Sequence, residues 1–128
     1  PSESFLLTYN GQLTMDALGQ LIGLCRFREK QVDILTLSAC QTALGNERAA
    51  LGLAGVAIKA GVRSAVATLW YVDDEATSLT IRDFYRQLKK PGVSKAKALQ
   101  NAQKNLIAQS RYWQPIYWAP FLLIGNWL

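Results

Sequence analysis

Two places in this 128-residue chain carry side chains whose types and spacing could do chemistry. The first is Cys40, near the end of the run Ile34-Leu35-Thr36-Leu37-Ser38-Ala39-Cys40-Gln41-Thr42-Ala43-Leu44-Gly45. An apolar, partly β-branched run of this kind reads as a parallel strand buried on both faces. Ligands of open α/β sheets sit just beyond the carboxyl ends of such strands. A thiol at that tip, followed by a helix whose first turn carries partial positive charge, has its thiolate favoured and its sulfur presented to solvent. The same position also suits a small apolar residue filling a strand end, because free cysteine is among the most buried residue types.

The second place is Trp70 with Asp73 and Asp74, which follow another apolar run, Ser64 to Leu69. If the two runs are neighbouring parallel strands joined by a right-handed crossover, Trp70 and Asp73 lie at the same carboxyl edge as Cys40. An acidic residue at a pocket mouth favours a basic substrate side chain, with Asp73 the first choice, Asp74 the second and Trp70 an apolar wall. Acidic residues at a helix start are also expected from the macrodipole alone, at about 0.3 to 1 kcal/mol each. Cys25 sits in no motif and reads as a structural thiol. Arg48, Arg63 and Arg82 are the candidates for an acidic substrate instead, though none lies in a motif.

Composition narrows the function classes. Half the residues are apolar and 18% are charged, a globular composition with no sign of disorder. The longest unbroken apolar stretch, Leu51 to Ile58, falls far short of the roughly 20 residues that span a bilayer. The +5 charge is concentrated in the second half, around Lys89, Lys90, Lys95, Lys97 and Lys104. These lysines are not interleaved with aromatics as single-strand binding requires, so a solvated helix face is favoured over a nucleic-acid surface. Two cysteines fifteen positions apart, behind no signal-like N-terminus, fit free thiols in a reducing, cytoplasmic compartment. The chain contains no histidine and no CxxC pair, leaving too few ligands for zinc, and no cofactor is expected. Gly45 to Gly52 lacks the Gly-Lys-Ser/Thr ending of a phosphate-binding loop.

The elements that must position these residues follow in order. Phe5 to Thr14 reads as a small hairpin around Asn10-Gly11, the dipeptide best suited to a two-residue type I′ turn. Thr14 is placed to cap a helix over 15–24 that buries Leu18, Leu21 and Ile22. Beyond the Cys40 loop a helix over 48–60, closed by Gly61, carries Ala49, Ala50, Gly52, Ala54, Gly55 and Ala57, small enough for close approach to the sheet. A helix over 76–89 has the stripe Leu79, Ile81, Phe84, Tyr85 and Leu88. Pro91-Gly92 breaks the chain, and Ser94 caps a helix to about 108 with Leu99, Ala102 and Leu106 buried. Residues 111–117 read as a loop and 121–124 as a last strand at a sheet edge.

Taken in that order, Val32-Asp33-Ile34-Leu35-Thr36-Leu37-Ser38-Ala39-Cys40-Gln41-Thr42-Ala43, Gly61-Val62-Arg63-Ser64-Ala65-Val66-Ala67-Thr68-Leu69-Trp70, Val72-Asp73-Asp74-Glu75-Ala76-Thr77 and Tyr117-Trp118-Ala119-Pro120-Phe121-Leu122-Leu123-Ile124-Gly125-Asn126-Trp127 resemble the CHAT domain. This is a caspase-like, separase-related cysteine peptidase family often joined to tetratricopeptide repeats. The resemblance implies an α/β fold, a caspase-like mostly parallel sheet flanked by helices in three layers. It also implies a Cys/His dyad with Cys40 matching the nucleophile. The family's histidine lies upstream of the matching region, so the chain reads as the C-terminal part of one such domain, incomplete at its N-terminal side. Residues 1–31 are then the hairpin and helix, and 32–128 the nucleophile-bearing core.

Three function classes follow. The first is a cysteine endopeptidase, a hydrolase of protein or peptide substrates, whose nucleophile half is inactive alone for want of the histidine. The second is a catalytically silent CHAT-like interaction scaffold for neighbouring repeats. The third and weakest is a basic nucleic-acid or partner-binding domain. With upstream strands absent, the Cys40 strand would expose an edge that invites self-association.

Overall fold

The computed structural model describes residues 5–26, 31–38 and 47–128. Strand β4 (Ser64–Thr68) is buried at every position, and the described chain is arranged around it. On one side β4 pairs in parallel with β3 (Ile34–Leu37), Ile34 opposite Ser64 through Leu37 opposite Ala67. On the other it pairs antiparallel with β5 (Phe121–Gly125), Ser64 opposite Gly125 through Thr68 opposite Phe121. The sheet order is β3-β4-β5, which leaves the outer edge of β3 without a strand among the described residues.

Side chains alternate across this sheet as strand geometry requires. Leu35, Leu37, Ala65, Ala67 and Ile124 face α1 (Met15–Arg26) and α2 (Glu47–Ala60), where Leu18, Ile22, Leu53, Ala54 and Ala57 are buried. Ile34, Val66, Phe121 and Leu123 face α3 (Asp74–Leu88) and α4 (Lys95–Ile107), packing on Phe84, Leu99, Ala102 and Leu106. The expected three layers are therefore present. The sheet is mixed, however, with one parallel and one antiparallel pair, where a mostly parallel sheet was expected.

The helix hairpin explains the difference. Asn105 Nδ2 donates to Asp83 Oδ2 at 2.6 Å, and Asn101 Nδ2 donates to Gln87 Oε1 at 3.4 Å. Numbers rise on one helix as they fall on the other, so α3 and α4 are antiparallel. One crossover helix returns the chain for a parallel strand; two antiparallel helices return it for a strand of the opposite direction. Ser94 caps α4 through a bond from Lys97 N at 3.2 Å, as its sequence position suggests.

Local departures have local causes. Strand β1 (Phe5–Thr8) pairs with β2 (Gly11–Thr14), Thr8 opposite Gly11, so the turn residues are Tyr9 and Asn10 and Gly11 opens the second strand. Leu21 is 56% exposed, because only Leu18 and Ile22 of the expected stripe point at α2. Gly55 has open space around it, whereas Ala54 and Ala57 make the close approach. The expected loop over 111–117 contains a short helix α5 (Pro115–Trp118), with Pro115 at the position where a missing N–H is harmless. Lys95 is not on a solvated face: its ammonium, buried on α4, pairs with Asp33 Oδ1 at 3.0 Å just before β3.

At the far end of the sheet Gly125 adopts φ +99°, and a Cβ there would collide with the Arg63 carbonyl. That carbonyl accepts a bond from Asn126 N at 2.9 Å. Gly125→Ala is expected to destabilise the fold by about 1–3 kcal/mol, read as a lower urea midpoint at unchanged slope.

Between α3 and α4, Asp83 accepts from Arg86, Gln87 and Asn105 while its side chain is only 10% exposed. Burial pushes this carboxyl up; the bonds from Asn105, Arg86 and Gln87, with the Arg86 charge, outweigh it and hold the group below its ordinary 3.8. The unfolded chain thus binds the proton first as acid is added. Stability from Asp83 is present above 3.8 and lost as pH falls through the depressed folded value. Asp83→Asn is expected to lower stability at neutral pH by about 1–3 kcal/mol and to flatten the acid limb of the stability profile, checked by denaturant midpoints from pH 3 to 7.

Candidate functional site

At the carboxyl edge of the parallel pair, β3 ends in exposed Ser38 and β4 passes into Leu69, whose N–H donates to the Pro120 carbonyl at 3.0 Å. Alternation along β3 puts Ile34, Thr36 and Ser38 on the side of α3. Thr36 Oγ1 and the Tyr85 hydroxyl share a hydrogen bond of 2.7 Å, which fastens α3 beside β3. Between Ser38 and α3 opens a cleft of about 550 Å³ lined by Ser38, Asp74, Thr77, Ser78, Ile81 and Arg82.

The sequence places Trp70, Asp73 and Asp74 at one edge, and the parallel pairing of β3 with β4 brings their segment to the edge where Ser38 leaves the sheet. Their environments differ. Asp73 is the N-cap of α3: its Oδ1 accepts from Ala76 N at 3.0 Å, satisfying one of the orphan donors of the first turn. Asp74, exposed at the first helical position, lines the cleft. Trp70 does not line it; its indole N–H donates to the Ile116 carbonyl at 3.1 Å and holds the turn against α5. Cys40 and the loop around it lie outside the described residues.

Around this edge sits an ion pair that the sequence did not suggest, Arg111 with Glu75 at 2.8 Å. Arg111 also lies over the Tyr112 ring, 5.3 Å from its centroid. The buried Tyr112 hydroxyl makes no hydrogen bond of good geometry among the described residues; burial and the Glu75 carboxylate raise it above its ordinary value, against the Arg111 charge. Of the three arginines considered for an acidic substrate, Arg82 lines the cleft, while Arg63 Nε donates to Gln31 Oε1 at 3.1 Å on the opposite end of β4. The side chain of Arg48 lies outside the described residues. The sequence offers Arg82 as a candidate outside any motif, and its place beside Asp74 follows from α3 spacing: positions 74, 77, 78, 81 and 82 recur on one helical face. Among the described residues no His, Cys, Asp and Glu group is arranged to hold a metal ion, and no helix is long and apolar enough to cross a membrane.

Substitution separates the two aspartates. Asp73→Ala is expected to destabilise the protein by about 0.5–2 kcal/mol, whereas Asp73→Asn keeps a good cap and stays within a few tenths of wild type. Asp74→Asn should leave the cap untouched. Thermal unfolding of the three variants checks the order, and a loss of function in Asp73→Asn would then report charge alone.

Compared with known protein families, residues 1–126 match the CHAT domain. No curated protein matches the chain.

Proposed function

This chain belongs to the CHAT domain family, and from that premise we propose that it is the nucleophile-bearing part of a caspase- and separase-like cysteine endopeptidase domain. One observation supports the reading above others: the strand leading into Cys40 is paired in parallel with the strand leading into Trp70, Asp73 and Asp74. The two segments therefore leave the sheet at the edge where open α/β sheets hold ligands.

In this reading the Cys40 thiolate attacks the scissile carbonyl carbon and the Cys40 backbone N–H contributes to the oxyanion site. The amine that leaves needs a proton, and the thiolate needs a base to form it. A histidine does both in the family pattern, and these 128 residues contain none. The imidazole would come from another segment, and the outer edge of β3 is where its strand would pair. Asp74, in the cleft, is then better placed than the capping Asp73 to hold a basic substrate side chain, while Trp70, outside the cleft, holds the turn against α5. Tetratricopeptide repeats in the same parent chain and a cytoplasmic setting belong to the same proposal.

The missing histidine also favours a second reading, a catalytically silent scaffold of the same fold. Fluorogenic peptides with lysine or arginine before the reporter separate them. The purified chain alone is expected to give no turnover, and the chain supplied with a histidine-bearing preceding segment is expected to cleave, with Cys40→Ala abolishing it. Turnover by the chain alone, lost in Cys40→Ala, would sink the requirement for histidine. No turnover in either form favours the scaffold.

A further inference from the structure

We infer that the groove between α3 and α4 is a docking site for an acidic side chain of a protein partner, a glutamate whose carboxylate is held by Arg82 and Arg86. This surface is distinct from the cleft beside Ser38, and the inference does not depend on the peptidase reading.

The groove has a volume of about 180 Å³. Pockets for drug-sized ligands begin at roughly 300 Å³, so this one suits a single side chain. On α3 it is lined by Leu79, Arg82, Asp83 and Arg86, which recur on one helical face, and Ala102 and Leu106 of α4 complete an apolar floor.

The charges in the groove do not balance. Arg82 and Arg86 are four residues apart, which sets their backbones about 6 Å apart on one face, an unfavourable spacing for like charges. Asp83 stands between them and is already fully engaged. Its Oδ1 accepts from Nε and Nη2 of Arg86 and its Oδ2 from Asn105, which fixes that guanidinium and leaves Nη1 for a ligand. The Arg86 side chain is 70% exposed. Arg82 forms no ion pair among the described residues, and α4 contains no acidic residue. Glu75, one turn before Leu79, is held by Arg111. Two guanidiniums against one carboxylate leave one positive charge without a counterpart.

That surplus selects the occupant. One carboxylate brings the groove to neutrality, whereas a phosphate dianion overshoots and presses its second charge on Asp83. The apolar floor favours methylenes beneath the charge, so glutamate is preferred to aspartate. A free amino acid is disfavoured, because its ammonium meets two guanidiniums and no unengaged carboxylate. The carboxyl end of α4 opposes an anion, but its carbonyls at Lys104, Asn105 and Leu106 already accept from Ala108 N, Gln109 Nε2 and Gln109 N.

Titration of the isotope-labelled chain with a blocked glutamate, N-acetyl-glutamate N-methylamide, tests this by NMR through the arginine Nε–H and side-chain amide signals. Saturable shifts are expected at Arg82, Arg86 and Gln109, with affinity about tenfold above blocked glutamine, since each exposed ion pair contributes up to roughly fivefold. Blocked aspartate, free glutamate and inorganic phosphate are each expected to bind more weakly. Arg82→Gln should lose about fivefold at unchanged helicity, Arg82→Lys should recover part of it, and Arg82→Glu should abolish binding. Equal affinity for blocked glutamine, binding unmoved by Arg82→Gln, or shifts confined to Ser38, Thr77 and Ser78 of the neighbouring cleft overturns the inference. Tighter binding of phosphate or of free glutamate overturns the assignment to a partner's side chain.

Discussion

The constraint on which the structure depends is the complete burial of β4 between two helical layers. A strand with no exposed face can offer solvent only its ends, so whatever Ser64 to Thr68 positions must be positioned at those ends. Ala65 and Ala67 keep one face thin enough for α2 to seat Ala54 and Ala57 directly on the sheet, while Val66 takes up the thicker layer of Phe84 and Phe121. Parallel pairing with β3 then makes the carboxyl edge common to both strands. The opposite edge is closed by Gly125 and Asn126, where Ser64 Oγ donates to the Asn126 carbonyl at 2.5 Å and the backbones are too close for a side chain. One end of the sheet is sealed in this way, while at the other the exposed Ser38 lines the cleft.

Much of this was legible because its signals are local. Apolar runs identified β3 and β4, Ser94 and Thr14 announced helix starts, and Gly61, at φ +115°, closes α2 as its position suggests. Thr14 Oγ1 indeed accepts from Ala17 N at 3.2 Å. What was not legible depended on partners distant in sequence. The direction of β5 follows from two helices packing antiparallel through Asp83 and Asn105, twenty-two positions apart. The burial of Lys95 follows from Asp33, sixty-two positions away, and no property of an amphipathic helix distinguishes that lysine from its solvated neighbours. Leu21 failed for the opposite reason: a leucine at helical spacing carries the apolar signal whether or not a neighbour arrives to cover it.

The site divides along the same line. Chain order and the parallel strands sufficed to bring Trp70, Asp73 and Asp74 to one edge, yet their roles are set by atoms that periodicity does not see. Asp73 is committed by a backbone N–H three residues ahead, a geometry any Asp, Asn or Ser at that position adopts. Trp70 is committed by a carbonyl forty-six residues away, in a helix the sequence read as loop. Glu75 is committed by Arg111. Asp74 remains, the carboxylate at that helix start with no ion pair among the described residues.

This pattern bears on where a further segment can join the sheet. The face of β3 toward α3 is occupied at Thr36 by Tyr85, and the opposite face by the α1–α2 layer. Approach from above or below the sheet is therefore blocked by packed side chains, and β4 occupies one edge of β3 along its whole length. Among the described residues the outer edge of β3 has no strand beside it, and there the backbone N–H and C=O groups of Ile34 to Leu37 can pair with an added strand. A strand added there would have an end beside Ser38, two residues before Cys40 in the sequence. Because Tyr85 holds Thr36 on a face of β3 and not at its edge, such a pairing would leave α3 and the cleft beside Ser38 undisturbed.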